Sequence, residues 1–281
     1  MALNLLIIDA YSAKGRDSVV ASGATHAGQL FDRTIRLHRP DVTTNVVDFN
    51  TADPDLADTL ENYDGVVWTG SNMTIHRRNP LIDAQIAFCQ AAFDVGTPQF
   101  GVCWAIQLAA VAGGGEAEAN ANGREIGWAR DIQVNEAGQA HPMYQDKQPH
   151  FDALCWHSDT VTRLPESAVL LASNSMSDVQ AAIVKRGKSE FWAVQYHLEF
   201  DGHEAASLLQ AYAPGLIEAG QYADEAEAQA FIKEMRLLKQ MEANPSEASA
   251  ALQPIVDVKV RTAELGNWLT WVEQGCPATA A

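Results

Sequence analysis

The chain has 281 residues, of which 47% are hydrophobic and 20% charged, a composition typical of a globular protein with a sizeable core. Its formal net charge is −17, and because an acidic surface repels phosphate backbones, the charge argues against nucleic-acid binding. No apolar run approaches the roughly 20 residues of a membrane span, and residues 3–8 lack the basic flank of a signal peptide, so we expect a cytoplasmic location.

The first half of the chain alternates short apolar runs with longer amphipathic segments. Apolar runs bounded by turn-forming residues predict strands at 3–9, 44–49, 65–68 and 98–102. Helical spacing of apolar residues predicts helices at 23–38, 56–61, 81–93 and 104–111. This alternation predicts an α/β fold, with an open, mostly parallel sheet flanked by helices on both faces.

The middle of the chain changes character, because strands follow one another there without intervening helices. Strands are predicted at 125–134, 154–157, 169–172, 179–185 and 191–196, the last two joined as a hairpin. Residues 135–152 are polar and carry two prolines, which predicts a loop. This part of the sequence predicts an antiparallel extension of the parallel sheet.

From Gly202 onward the pattern is helical again, with amphipathic segments at 222–243 and 247–273. We therefore expect a main domain at residues 1–215 and a helical C-terminal extension at 216–281. The extension either packs on the main domain or forms the contact of a homodimer, and the sequence leaves both alternatives open.

One of the four cysteines lies at a junction between predicted elements. Cys103 follows a strand and precedes a helix, at the edge of the sheet where open α/β folds bind ligands. The N-terminus of that helix favours the thiolate form of the sulfur. Gly101 and Ala105 are small, as a tight nucleophile elbow requires. Most free cysteines are buried core residues, yet this setting makes Cys103 a candidate nucleophile.

A histidine and a glutamate stand two residues apart at the end of the last predicted strand. In an extended chain, His197 and Glu199 project to the same side. A carboxylate beside an imidazole fixes its tautomer and stabilises the imidazolium that forms when the ring accepts a proton. The pair therefore suits a general base and the group that orients it.

The runs GVCWAIQ at residues 101–107 and QYHLEF at 195–200 carry a family resemblance. They resemble the Gly-x-Cys-x-Gly/Ala-x-Gln and Gln-Phe/Tyr-His-Pro-Glu motifs of the class I, or triad, glutamine amidotransferases. The resemblance extends over residues 3–215. It is strongest to the stand-alone branch that is similar to the amidotransferase domain of GMP synthase and includes γ-glutamyl peptidases.

The resemblance implies a role for each matching residue. Cys103 would attack the glutamine side-chain amide, His197 would activate the thiol and protonate the leaving ammonia, and Glu199 would orient His197. The oxyanion hole would use backbone N–H groups of Trp104 and of Gly70 or Ser71. The residues implied in substrate binding are Gln107, His157, Ser158 and Asp159.

The sequence also departs from the family motifs at three places. Leu198 replaces the proline between base and acid, and Ala105 replaces the more common glycine. The loop at residues 69–74 reads TGSNMT rather than the Gly-Gly-Pro of biosynthetic members. The departure in the loop weakens any assignment to a biosynthetic pathway, and the other two leave the proposed chemistry unchanged.

Other chemistry-bearing residues give weaker signals. The remaining histidines show no metal-ligand spacing, so neither a metal nor a cofactor is expected. The basic run at residues 76–78 fits a solvated loop better than a substrate contact. Cys155 is expected to be a buried strand residue.

Three functions remain open from the sequence. The first is hydrolysis of glutamine through a γ-glutamyl thioester on Cys103, with the ammonia passed to a separate synthase partner. The second is the same chemistry on γ-glutamyl peptides or γ-glutamyl amines, without a partner. The third, which is disfavoured because the whole triad is present, is a binding module without catalysis.

Overall fold

The structure is a computed structural model that describes residues 2–279. The strands are β1 (Asn4–Asp9), β2 (Thr43–Asp48), β3 (Gly65–Trp68), β4 (Gln99–Val102), β5 (Glu116–Ala119), β6 (Glu125–Val134), β7 (His150–His157), β8 (Asp159–Arg163), β9 (Ala168–Ser173), β10 (Ala181–Arg186) and β11 (Ser189–Val194). The α-helices are α1 (Ala13–Ala21), α2 (Ala27–His38), α3 (Pro80–Val95), α4 (Trp104–Ala112), α5 (Glu136–Ala140), α6 (Gly202–Glu218), α7 (Glu225–Met241), α8 (Gln253–Val256), α9 (Val258–Arg261) and α10 (Ala263–Glu273). Short 3₁₀ helices cover Phe49–Thr51, Leu56–Asn62, Pro142–Tyr144 and Pro245–Glu247.

Nine strands form one sheet in the order β2-β1-β3-β4-β11-β10-β9-β6-β7. The pairs from β2 through β11 are parallel, and the pairs from β11 to β7 are antiparallel. The predicted α/β fold, a mostly parallel sheet with an antiparallel extension, is confirmed. Because β3, β4 and β11 are neighbours, their carboxyl ends bring the loop at 69–74, Cys103 and His197 to one edge.

The sheet is buried on both faces, which explains the continuous apolar runs of its strands. Leu6 and Ile8 of β1 face a cluster that includes apolar side chains of α3 and α4. Leu5 and Ile7 face the opposite cluster, which includes side chains of α2 and α10. Each large apolar side chain buried in this way contributes about 1.5–3 kcal/mol. The alternation of β1 thus divides the core into two layers.

Helix α1 is absent from the predicted elements. Its sequence, AKGRDSVVA, has no clear apolar stripe, and only Gly15 and Val19 are buried. Ser12 caps the helix, since its side chain accepts a hydrogen bond from the Gly15 N–H. Helix α2 begins at Ala27, four residues later than the predicted start at 23, because α1 and its turn occupy the preceding segment.

A small second sheet, formed by β5 and β8 in antiparallel pairing, was not predicted from the sequence. Strand β5 has the sequence EAEA, and only Ala117 is buried, so its pattern is too short and too polar to stand out. Strand β7 begins at His150 rather than at the predicted residue 154, within the segment expected to be a loop. It extends because it pairs with the whole of β6 across a bulge.

The C-terminal segment is helical, as predicted. The amphipathic pattern at 247–273 is divided among α8, α9 and α10, with Pro254 in the first turn of α8 and Asp257 capping α9. Helix α10 packs against the sheet through Leu265, Trp268 and Leu269. The predicted boundary at residue 215 falls inside α6. Within residues 2–279, no helix has the length and apolar character that crossing a membrane would require.

Candidate active site

The backbone of Cys103 forms a sharp turn between β4 and α4. Its φ of 52° and ψ of −102° lie in a region that side-chain-bearing residues rarely adopt. A Cβ on Gly101 would lie 2.4 Å from the Cβ of Ala105 and 2.9 Å from the Cβ of Trp68. The small residues on either side of Cys103 are therefore required by the turn, as the elbow argument predicted.

His197 and Glu199 lie just beyond β11 and share a hydrogen bond. Nδ1 of His197 is 2.7 Å from Oε1 of Glu199, and both side chains are almost completely buried. The backbone N–H of His197 donates to the Leu154 carbonyl at 2.8 Å, which anchors this segment to β7. The structure thus brings together the two residues that the sequence paired.

The imidazole of His197 also faces the sulfur of Cys103. Burial by itself would lower the pKa of His197, but the charges of Glu199 and Cys103 and its hydrogen bonds to them raise that pKa from 6.5 to about 10. The ring therefore favours the imidazolium form beside the sulfur of Cys103. The thiol in turn lies 3.4 Å from the Trp156 carbonyl oxygen.

The loop after β3 closes over this pair. A Cβ on Gly70 would lie 2.9 Å from Cε1 of His197 and 3.7 Å from the Cβ of Cys103, so no larger residue fits there. Ser71 donates its hydroxyl to the Ala10 carbonyl at 2.9 Å. Trp104, at the start of α4, is held by its indole N–H donating to Gln85 at 2.8 Å. The backbones expected to form an oxyanion hole therefore border Cys103 and His197.

The four residues expected to bind substrate all line the same cavity, in different ways. Gln107 is buried, and its amide donates to the Asp159 carbonyl at 3.1 Å. Ser158 is exposed on the bend between β7 and β8. The Asp159 carboxyl is mostly buried, and burial raises its pKa, an effect that His76 and Arg77 counteract.

The imidazole of His157 is engaged within the protein. Nε2 lies 2.7 Å from Oε2 of Glu125, and Nδ1 lies 3.0 Å from the Asp159 carbonyl oxygen. Gln180 and Asn174 donate to the same Glu125 carboxylate. His157 therefore has no free ring nitrogen for a ligand, and it holds the 157–159 segment in place.

The basic run at residues 76–78 is only partly the solvated loop that the sequence favoured. Arg77 and Arg78 are exposed, but His76 is half-buried, and its Nδ1 lies 3.8 Å from both Oδ2 of Asp159 and Oε2 of Glu118. The run thus borders the polar end of the cavity.

The cavity at Cys103 has a volume of about 250 Å³. Further residues line the cavity without having been predicted as site residues, among them Tyr11, Val19, Asn72, Trp156, Phe200, Leu208 and Tyr212. Asn72, Trp156 and Phe200 lie in segments that the sequence had singled out. The other four carried no such signal, and only the fold brings them together.

Cys89 and Cys155 are buried, Cys155 within β7 as expected, and neither forms a disulfide. Across residues 2–279, no group of three or more His, Cys, Asp or Glu side chains is placed to hold a metal ion.

Comparison with known proteins agrees with this geometry. The family model for glutamine amidotransferase class-I matches residues 29–211. A γ-glutamyl-L-1-hydroxyisopropylamide hydrolase of Pseudomonas is 36% identical over 226 residues, which are 78% of this chain and 75% of that protein. A GMP synthase of Escherichia coli is 35% identical over 114 residues, which are 39% of this chain but 21% of the synthase.

Two solved structures share the fold. A glutamine amidotransferase of Thermotoga maritima superposes with a TM-score of 0.67 at 16% identity, covering 97% of this chain and 98% of that one. A glutamine amidotransferase of Methylobacillus flagellatus gives a TM-score of 0.65 at 19% identity, covering 100% and 98%. The elbow, the His197–Glu199 pair and these matches together establish that the chain belongs to the class I glutamine amidotransferase family.

Proposed function

We propose that this protein hydrolyses a γ-glutamyl amide whose leaving group is an amine, through a γ-glutamyl thioester on Cys103. The observation that carries the proposal is the elbow cysteine facing a buried imidazole whose other nitrogen is 2.7 Å from a carboxylate. A nucleophile, a base and a group that orients the base are the parts that covalent amide hydrolysis needs.

The reaction follows from the charges of the triad. Because its pKa is raised, His197 holds the proton given up by Cys103, and the thiolate attacks the γ-carbonyl carbon. As the C–S bond forms and the C–N bond breaks, His197 protonates the departing amine. Water then attacks the thioester, His197 takes up a proton, and glutamate leaves as the thiol is restored.

Backbone N–H groups of Trp104 and of Gly70 or Ser71 are the proposed donors to the oxyanion. A donor of this kind contributes roughly 3 kcal/mol to the stability of the transition state. The charged α-amino and α-carboxylate groups of the γ-glutamyl unit need polar partners. We assign them to the polar end of the cavity, where Gln107, Ser158 and Asp159 lie beside His76 and Arg77.

The identity of the leaving group separates this function from a second candidate. The Pseudomonas relative, which matches 78% of the chain, is named for an amide of 1-hydroxyisopropylamine. Its name supports an amine as the leaving group in the reaction of this protein. The similarity to part of GMP synthase supports hydrolysis of glutamine instead, with the ammonia passed to a synthase partner. Both functions use the same triad.

The test is a comparison of substrates with the purified chain. We expect glutamate release from γ-glutamyl-isopropylamide with a kcat/KM at least about tenfold above that for glutamine, since added carbons in an apolar pocket are worth that much. Faster turnover of glutamine would favour the second candidate.

Covalent labelling tests the nucleophile itself. A glutamine-like electrophile should attach to Cys103, as mass spectrometry would detect, and Cys103→Ala should abolish the adduct. Cys276→Ala is the matched control, because Cys276 is a free and half-buried cysteine away from the cavity, and this variant should label normally. Absence of any adduct on Cys103 would indicate a binding module without catalysis.

A further inference from the structure

The cavity at Cys103 has two unlike ends. One end is polar, as described above. The other end is formed by a set of apolar and aromatic side chains that we call the leaving-group wall: Tyr11, Val19, Trp156, Phe200, Leu208 and Tyr212. The two ends belong to different parts of the core. Met73 and Trp104, which line the cavity outside the wall, pack with the hydrophobic cluster around α3 and α4. The side chains of the wall, apart from Tyr212, pack instead with the cluster around α6.

The position of His197 decides which end receives the departing amine. The ring of Phe200 is stacked on the imidazole, with centroids 4.0 Å apart and planes inclined by 7°. Because the group that protonates the leaving nitrogen must be within hydrogen-bond reach of it, that nitrogen lies in the plane of the imidazole, next to the layer that Phe200 forms over the ring. The substituent on the nitrogen therefore extends along the wall, and the γ-glutamyl unit extends the other way.

Two helices support the leaving-group wall. Val19 comes from α1, and Leu208 and Tyr212 come from α6. The rings of Tyr212 and Trp156 lie 5.7 Å apart, centre to centre. Asn72 fixes the start of α1, since its side-chain oxygen accepts hydrogen bonds from the backbone and hydroxyl of Ser12, each at 3.1 Å. The wall is thus anchored to the loop that carries Gly70.

The imidazolium of His197 beside the wall is already matched by the carboxylate of Glu199, and the other groups around the wall are negative or neutral. No lysine or arginine is among the described residues that line the cavity. Arg16 of α1 is paired with Asp9 and Asp48 and does not line it. The pKa of Tyr11 is raised, first by burial and then by the negative charges of Cys103, Glu199 and Asp9. A carboxylate placed here would be desolvated with no cation left unpaired to neutralise it, which is strongly unfavourable.

We propose that the leaving-group wall selects γ-glutamyl amides of small, uncharged apolar amines and rejects γ-glutamyl amino acids and peptides, whose leaving groups carry a carboxylate. This inference rests on the proposed function and narrows its substrate class. Apolar contact with the wall stabilises the amine, and the lack of an unpaired cation disfavours the carboxylate of an amino acid.

The sharpest test uses two substrates of nearly equal shape. γ-Glutamyl-isopropylamide and γ-glutamyl-L-alanine differ by one methyl group that is replaced by a carboxylate. We expect the wild-type protein to hydrolyse the isopropylamide with a kcat/KM at least about tenfold higher. Equal or faster hydrolysis of γ-glutamyl-L-alanine would overturn the inference while leaving the proposed function standing.

A variant that adds a cation to the wall tests the cause. Tyr212 is partly exposed, so Tyr212→Arg is expected to fold, as circular dichroism would verify. The ratio of the two kcat/KM values should shift at least about tenfold toward γ-glutamyl-L-alanine. Tyr212→Phe should keep the wild-type ratio, because the ring remains.

A charge control separates a local effect from a global one. Leu237 is an exposed apolar residue of α7 that does not line the cavity, so Leu237→Arg adds the same charge elsewhere. It should leave the ratio unchanged. An equal shift in Leu237→Arg, or no shift in Tyr212→Arg, would contradict the assignment of the wall. Hydrolysis of neither substrate would overturn the proposed function, and the inference with it.

Discussion

Cys103 depends on its neighbours for a backbone conformation that is costly by itself. A non-glycine residue at a φ of 52° and ψ of −102° carries strain of about 1–3 kcal/mol, which the surrounding structure must offset. Gly101 and Ala105 make the turn possible because their backbones approach so closely. The conformation points the sulfur out of the sheet and toward His197.

The elbow predicts a large effect from one added methyl group. Gly101→Ala places a Cβ 2.4 Å from that of Ala105 and 3.0 Å from the Trp68 carbonyl, contacts that no side-chain rotation relieves. We expect a loss of about 1–3 kcal/mol in the free energy of unfolding, measured by urea denaturation, and a lower kcat.

Gly215→Ala is the matched control for this prediction. Gly215 lies inside α6 with no other atom near the position of an added Cβ, so alanine should raise stability by up to about 1 kcal/mol. Similar losses in the two variants would refute the steric argument.

Glu199 sets the charge state of His197, and this predicts a shift in the pH profile. The pKa of His197 is raised to about 10, so the imidazolium that protonates the amine in the proposed mechanism is lost only as the pH rises through that value. Glu199→Gln removes the carboxylate, so the effect of burial, which lowers the pKa of the ring, is opposed by Cys103 alone. We expect kcat to fall about 10²- to 10⁴-fold and the alkaline limb of the profile to move to lower pH.

The same pair makes a contribution to stability with a defined sign. Because folding raises the pKa of His197 from 6.5 to about 10, its protonation stabilises the folded state fully below pH 6.5. This contribution is lost as the pH rises through about 10. The stability difference between wild type and Glu199→Gln should therefore narrow at high pH. If the alkaline limb of the kcat profile stayed in place in Glu199→Gln, a group other than His197 would control it.

At the scale of elements, the site depends on links between strand ends. Thr69 accepts a hydrogen bond from the Ala10 N–H at 2.9 Å, and Ser71 donates to the Ala10 carbonyl, so the loops after β1 and β3 are joined. A second link runs from α10 to the end of β11. Glu264 accepts hydrogen bonds from Lys147 at 2.6 Å and from Tyr196, the neighbour of His197.

This second link predicts a strong loss of stability when one partner is removed. Lys147 and Glu264 are both buried, and Glu264→Gln leaves the ammonium without its counter-charge. We expect a loss of about 3 kcal/mol, measured by chemical denaturation. Replacing both groups, as Lys147→Met with Glu264→Leu, should recover most of it, because no unpaired charge remains.

An exposed ion pair gives the comparison for that experiment. Glu116 and Arg163 pair across the small sheet and are both exposed, so Glu116→Gln should not change stability measurably. If Glu264→Gln also left the free energy of unfolding unchanged, the buried link would not hold α10 to the end of β11.

At the scale of the whole molecule, the C-terminal segment completes the core of the main sheet. Trp268 is fully buried, and its ring packs on Phe100 with centroids 5.8 Å apart. The ring also lies close to Gly65, since a Cβ on that glycine would be only 2.7 Å from Cη2 of Trp268. Helix α10 thus covers the face of the sheet opposite α3 and α4.

Removal of α10 should therefore prevent stable folding. A chain that ends at residue 262 exposes Leu5, Phe100 and Val102 of the sheet, and we expect loss of the cooperative thermal transition in circular dichroism. A chain that ends at residue 279 is the control and should melt like the full chain. A cooperative transition in the shorter chain would show that the main domain folds without α10.

The sequence by itself determined the α/β class and the strands of the parallel core, and it singled out the three residues of the proposed triad. Local signals suffice there: a buried strand running into a helix marks Cys103, and spacing of two along an extended chain joins His197 to Glu199. Helix α1 and strand β5 could not be read in this way, because their patterns are short and nearly polar, and contacts distant in sequence stabilise them.

Tertiary structure decided what surrounds the triad. The engagement of His157 by Glu125, the approach of His76 to Asp159 and the wall around Tyr212 each join residues far apart in the chain. No periodicity encodes such contacts, because they depend on the order of strands and on how α1 and α6 pack at the sheet edge. The sequence singled out Cys103 as the candidate nucleophile, and only the fold showed which chemical groups lie beside it.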